Sequence, residues 1–108
     1  MKEKLSDEEV ALKVVYAALE TVIDPEVGIN IVDLGLVYGV SASAQRVEVE
    51  MTLTSPACPM GGHLAEESRE AIRARVPASV EIEVKLVWEP AWNPQKMSDK
   101  AKQLLGWA

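Results

Sequence analysis

RVEVEMTL, residues 46–53, decides the architecture. Val47, Val49, Met51 and Leu53 alternate with Glu48, Glu50 and Thr52. That two-residue period predicts a strand with one buried and one wet face. Upstream, Leu36–Ala42 also reads as a strand and Ser41–Gln45 as a turn, so the two strands should form an antiparallel hairpin. Downstream, a helix is expected from about Gly62 to Arg75, with Leu64, Ser68, Ala71 and Ile72 on one face. After Pro77, Val80, Ile82, Val84 and Leu86 alternate with Glu81, Glu83 and Lys85, which predicts a third strand. A helix between strands returns the chain, so the third strand runs parallel to the second. Which strand it pairs with stays open.

At the amino end, Ser6-Asp7-Glu8-Glu9 fits a capping box. Val10, Val14, Ala17, Ala18 and Val22 follow at helical spacing, broadened by Leu12, Tyr16 and Leu19. Asp24-Pro25 should end this helix, because proline disfavours helical backbone in the residue before it. DPEVGINIVDLG (24–35) reads as a structured loop with a short extended piece at Asn30–Val32. WEPAWNPQKM (88–97) is a second loop, after which Ser98 caps a short helix closed by Gly106. The expectation is an α+β two-layer sandwich ordered α-β-β-α-β-α. Its three-stranded mixed sheet carries the helices on one face, in one domain spanning 1–108.

Among the 108 residues, 17 acidic and 11 basic side chains give a net charge of −6, with no Lys/Arg cluster. That balance argues against nucleic acid as a partner and suits solubility or a basic protein partner. The charged start MKEKLSDEEV lacks the apolar core of a secretory signal, and no apolar run is long enough to span a membrane. A cytoplasmic protein without membrane attachment is expected. One cysteine excludes an internal disulfide and a Cys-rich zinc site made by a single chain.

That cysteine, Cys58, lies in TSPACPMGGH (54–63) between strand and helix. A helix N-terminus favours a thiolate, Pro56 and Pro59 stiffen the turn, and Thr54 and Ser55 add hydroxyls. The alternative is a small buried hydrophobe. His63 reads as a ligand or base, or as a solvated surface residue. One sulfur cannot hold an iron–sulfur cluster by itself, so any cluster or metal at Cys58 would be shared with a second subunit, a partner or non-cysteine ligands. Asp24, Glu26 and Asp33 could ligate a metal or hold a partner's lysine, while Asp24 and Asp33 could instead cap turns. Glu48, Glu50, Glu81 and Glu83 form a solvated sheet face or a docking surface. Trp88 and Trp92 form a lid over the core or an aromatic anchor for a partner protein.

Taken in order, DPE (24–26), DLGLVY (33–38), MTLTSPACP (51–59), WEPAW (88–92) and MSDKAKQLLG (97–106) resemble the SufT/PaaD-like proteins of iron–sulfur cluster assembly. That family includes the eukaryotic cytosolic iron–sulfur targeting subunit and the domain fused ahead of Mrp-type P-loop ATPases. The resemblance covers nearly the whole chain. It implies a small, often oligomeric α/β domain that helps mature or deliver clusters, a carrier or adaptor rather than an enzyme. The family's cysteine falls on Cys58, as transient ligand or transfer thiol, and its hydroxyl positions on Thr54 and Ser55. Its acidic motifs fall on Asp24, Glu26 and Asp33, which the resemblance gathers with Cys58 around one cleft. Implied partners are iron–sulfur scaffold or carrier proteins, client proteins and a second copy in a homodimer. An iron–sulfur cluster or iron would be bound transiently. The cysteine-rich tail of PaaD proteins is absent before Ala108, which favours a general assembly factor. The rivals are a cysteine-dependent enzyme using Cys58 with His63, and a purely protein-binding module.

Overall fold

The computed structural model describes residues 7–25, 27–54 and 61–106. Their elements are α1 (Asp7–Leu19), β1 (Ile23–Asp24), β2 (Ile29–Asn30), β3 (Val37–Ala42), β4 (Arg46–Met51), α2 (Gly61–Arg73), β5 (Glu81–Leu86) and α3 (Asp99–Leu104). A single 3-10 turn, Pro94–Lys96, precedes α3. The architecture is the expected α+β one, with a three-stranded mixed sheet. The small antiparallel pair β1–β2 is added to it.

β4 is the central strand, antiparallel to β3 and parallel to β5, which settles the pairing left open by the sequence. Val47, Val49 and Met51 are fully buried. Ala42 and Val40 stand opposite Val47 and Val49 on β3, and Ile82 and Val84 stand opposite them on β5. α1 packs against β3, α2 against β5, and the two helices touch, so the core lies between this face and the helix layer. On α2, Leu64, Ser68 and Ile72 are buried. The Ser68 hydroxyl donates to the Leu64 carbonyl at 2.7 Å, which satisfies the one polar group of that face. Arg73 closes the crossover by donating to the carbonyls of Val80 (2.8 Å) and Pro77 (2.5 Å).

The opposite face is wet, and Arg46 bridges its carboxylates, with Lys85 3.9 Å from Glu83. Arg46 donates to Glu48 at 2.8 Å and across the parallel ladder to Glu81 at 3.0 Å and to Glu83. Its hydrogen bond, then its charge, hold the Glu48 carboxyl below the ordinary range; the same bond raises Arg46. A carboxylate depressed in the folded state adds stability above its unfolded value and loses it as pH falls through the folded one. Wild type should therefore melt slightly higher than Glu48→Gln at neutral pH. The gap should close as pH drops below 4.5. A melting-temperature gap that is constant down to pH 2 would contradict this.

Three local expectations are corrected. α1 stops at Leu19, before Asp24-Pro25, because Thr21-Val22-Ile23 is β-branched and the Thr21 hydroxyl closes onto the Ala18 carbonyl at 2.6 Å. Its buried face is Val15, Ala18 and Leu19, whereas Val10, Tyr16 and Ala17 turn outward. The Ser6 half of the capping box lies outside the described residues. Thr52, expected on the wet face, is buried, since β4 ends at Met51 and the Thr52 amide turns to the Leu36 carbonyl at 2.8 Å.

Of the extended piece expected at Asn30–Val32, only Asn30 is in a strand, at the end of β2; residues 31–35 then make a single turn capped at both ends. The Asn30 side-chain oxygen accepts from the amides of Val32 (3.0 Å) and Asp33 (2.9 Å), as a helix N-cap does. At the other end Gly35 has φ +78°. Its amide donates to Val32 and that of Leu36 to Ile31, the paired bonds of a Schellman ending.

Candidate functional site

Because β4 and β5 are parallel, both finish at one end of the sheet, where β3 begins. Met51 is in register with Leu86 and with Val37. The DLGLVY stretch and the WEPAW loop meet there, at the start of β3. Past β4, the chain is held on both sides: the Thr52 amide donates to Leu36, and the Val87 amide donates to Met51, each at 2.8 Å. The segment carrying Cys58 therefore leaves from the carboxyl end of the central strand. In open α/β sheets that is where ligand sites concentrate.

The 30–35 turn is a socket for the segment that follows β5. The Trp92 indole N–H donates to the Leu34 carbonyl at 2.8 Å, and the Ser98 amide donates to the Asp33 carbonyl at 2.8 Å. Gly35 lies against the Lys96 backbone, where a Cβ would stand 2.2 Å from the carbonyl oxygen. The Tyr38 hydroxyl donates to the Pro90 carbonyl at 2.8 Å, and the Lys96 ammonium sits 5.0 Å from the Tyr38 ring centroid. Desolvation pushes the Tyr38 phenol up, which keeps it a donor. Ser98 caps α3 by accepting from the Ala101 amide at 3.1 Å, and Gly106 takes φ +75°, both as the sequence indicated.

The candidate site residues fall as follows. Asp24 is buried at the end of β1, where its carbonyl accepts from the Gly28 amide at 2.8 Å. No fully buried side-chain nitrogen or oxygen among the described residues lacks a partner. Asp33 is half-buried. Its carboxylate accepts from the Asn30 side-chain amide at 2.7 Å and lies 3.8 Å from the Lys100 ammonium. The structure thus joins Asp33 to the Trp92 segment. Thr54 is exposed at the mouth of the cysteine segment. Glu26, Ser55 and Cys58 lie outside the described residues. Trp88 is 42% exposed, while Trp92 packs against the core. His63 is exposed on the first turn of α2 and paired with Glu67 one turn on. Among the described residues no three His, Cys, Asp or Glu side chains gather as a metal site, and no helix is long and apolar enough to cross a membrane.

Asn30 and Gly35 were not singled out by the sequence reading, although the signal is present. An Asn followed five residues on by Gly, across an apolar turn, is the signature of a turn capped at both ends.

Comparison with known proteins adds the family. Residues 12–84 match the model of a family described as iron-sulfur cluster assembly protein. The chain is 42% identical over 100 residues to the Fe-S protein maturation auxiliary factor YitW of Bacillus subtilis, covering 92% of this chain and 97% of that one. It is 46% identical over 86 residues to the Fe-S protein maturation auxiliary factor SufT of Staphylococcus aureus, covering 79% and 97%. The crystal structure of a domain of unknown function, DUF59, from Bacillus anthracis superposes with a TM-score of 0.86 at 44% identity, covering 92% of this chain and 94% of that one. The matched range spans the sequence of the hairpin, the crossover helix, the capped turn and Cys58, and on the strength of that match the chain belongs to the iron–sulfur cluster assembly protein family.

Proposed function

We propose that this protein is an auxiliary factor in iron–sulfur protein maturation, a carrier or adaptor rather than an enzyme. The observation that carries this reading is near-full-length similarity to two proteins named as such factors. The cluster, or iron, is cargo. Cys58 is its transient ligand or transfer thiol; it stands three residues before α2, and a helix N-terminus favours the thiolate. A cluster needs about four such ligands. With one thiol in the chain, a scaffold, a client protein or the second copy of a homodimer supplies the rest.

In this reading Asp24, Glu26, Thr54 and Ser55 line the approach to Cys58. Asp33 supports it from the capped turn, where Asn30 and Lys100 already engage its carboxylate. Trp88, the exposed member of its loop, faces a partner protein, and Trp92 holds the loop in place. The pairing of His63 with Glu67 on an exposed helix face favours the carrier over a Cys–His catalyst. The setting is the cytoplasm.

Anaerobic reconstitution with iron and sulfide tests the assignment. Wild type should develop cluster absorption and restore a client enzyme, and Cys58→Ala should do neither while melting normally. His63→Ala should behave as wild type. Equal cluster loading by wild type and Cys58→Ala would remove the ligand role.

A further inference from the structure

The segment after β5 is built differently from the rest of the molecule. Residues 87–106 lie beyond the residues matched by the family model, which end at 84. After Val87 their polar and close backbone contacts with the rest of the described residues go to residues 33–38: Tyr38 to Pro90, Trp92 to Leu34, Gly35 against Lys96, Ser98 and Lys100 to Asp33. Only Met97 and Ala101 of the segment are buried. Those two join the core, whereas α1, α2 and the sheet supply other fully buried residues of it, among them Val15, Val49 and Ile72. Few buried apolar contacts and many exposed positions are the marks of a region that opens at lower free energy than the whole.

We propose that residues 87–106 form a strap, latched on the 30–35 turn, that opens as a unit while the sheet, α1 and α2 stay folded. Opening frees the carbonyls of Asp33 and Leu34 and the Tyr38 hydroxyl, at the end of the sheet from which the cysteine segment leaves. A partner docking there would meet a latched or an unlatched end. Its use in cluster transfer rests on the function proposed above. The opening itself does not, and the experiment addresses the opening alone.

Native-state hydrogen exchange on the full chain separates the two units. Ser98, Lys102 and Leu105 amides report on the strap, and the amides of β4 report on the sheet. In wild type the strap amides should exchange through an opening of lower free energy and weaker denaturant dependence. Trp92→Phe removes the bond to Leu34 and should speed their exchange roughly fivefold. Ile72→Val weakens only the α2–sheet core. It should speed β4 exchange by roughly threefold or more and leave the strap amides unchanged. Strap and β4 amides sharing one opening free energy in wild type, or accelerated equally by Ile72→Val, would overturn the proposal.

Discussion

Gly35→Ala is expected to lower the unfolding free energy by about 3 kcal/mol or more in a urea titration, whereas Gly28→Ala lowers it by about 1–2 kcal/mol. Both glycines have left-handed backbone, at φ +78° and +74°. They therefore share the conformational penalty a side chain meets there. Their surroundings differ. A methyl at Gly28 meets nothing within 4 Å, while one at Gly35 would stand 2.2 Å from the Lys96 carbonyl oxygen and 2.6 Å from its carbon. Those are backbone atoms, which yield only if the strap moves. The excess loss at Gly35 thus measures the latch, and equal losses at the two glycines would refute the close approach.

The second large effect is at the centre of the sheet. Val49→Asp places a carboxylate at a position with no solvent exposure, among apolar neighbours on β3, β5 and the helix layer. An unpaired buried charge costs several kcal/mol, comparable with the whole stability of a domain of this size. The variant should show no cooperative unfolding transition at pH 7. Neutralising the carboxyl in acid should recover part of the loss relative to wild type at the same pH. One residue on, Glu50 points to water, and Glu50→Val should change stability by less than about 1 kcal/mol. Similar outcomes at positions 49 and 50 would contradict the two-faced reading of β4.

The contrast between neighbours 49 and 50 was legible in RVEVEMTL because period-two alternation is a local signal with one interpretation. The same holds for β5, the Ser98 cap and the closing Gly106. The phase of α1 was not legible, since VALKVVYAAL is apolar nearly all round and spacing cannot choose a face. Thus Val15 went inside where Val10 and Tyr16 were expected. Thr52 escaped because alternation carries no mark for where a strand ends. The socket escaped for another reason: Trp92 and Leu34 are 58 residues apart, and no local pattern announces that pairing. The residues of the candidate cleft are legible as a lone thiol, hydroxyls and loop acids, but only the resemblance gathers them around one cleft. The structure shows Asp24 buried, Asp33 engaged by Asn30 and Lys100, and Thr54 open to solvent.

That separation of 58 residues also sets an order of events on the ribosome. At a synthesis rate of about 5–20 residues per second, Leu34 emerges roughly 3–12 seconds before the indole that will cover its carbonyl. The hairpin of β3 and β4 closes early from neighbouring residues, and β5 can add only after α2 is made. The socket is thus shaped first and filled last. A released chain truncated before Trp92 would keep β3, β4 and β5 but leave the Leu34 carbonyl uncovered.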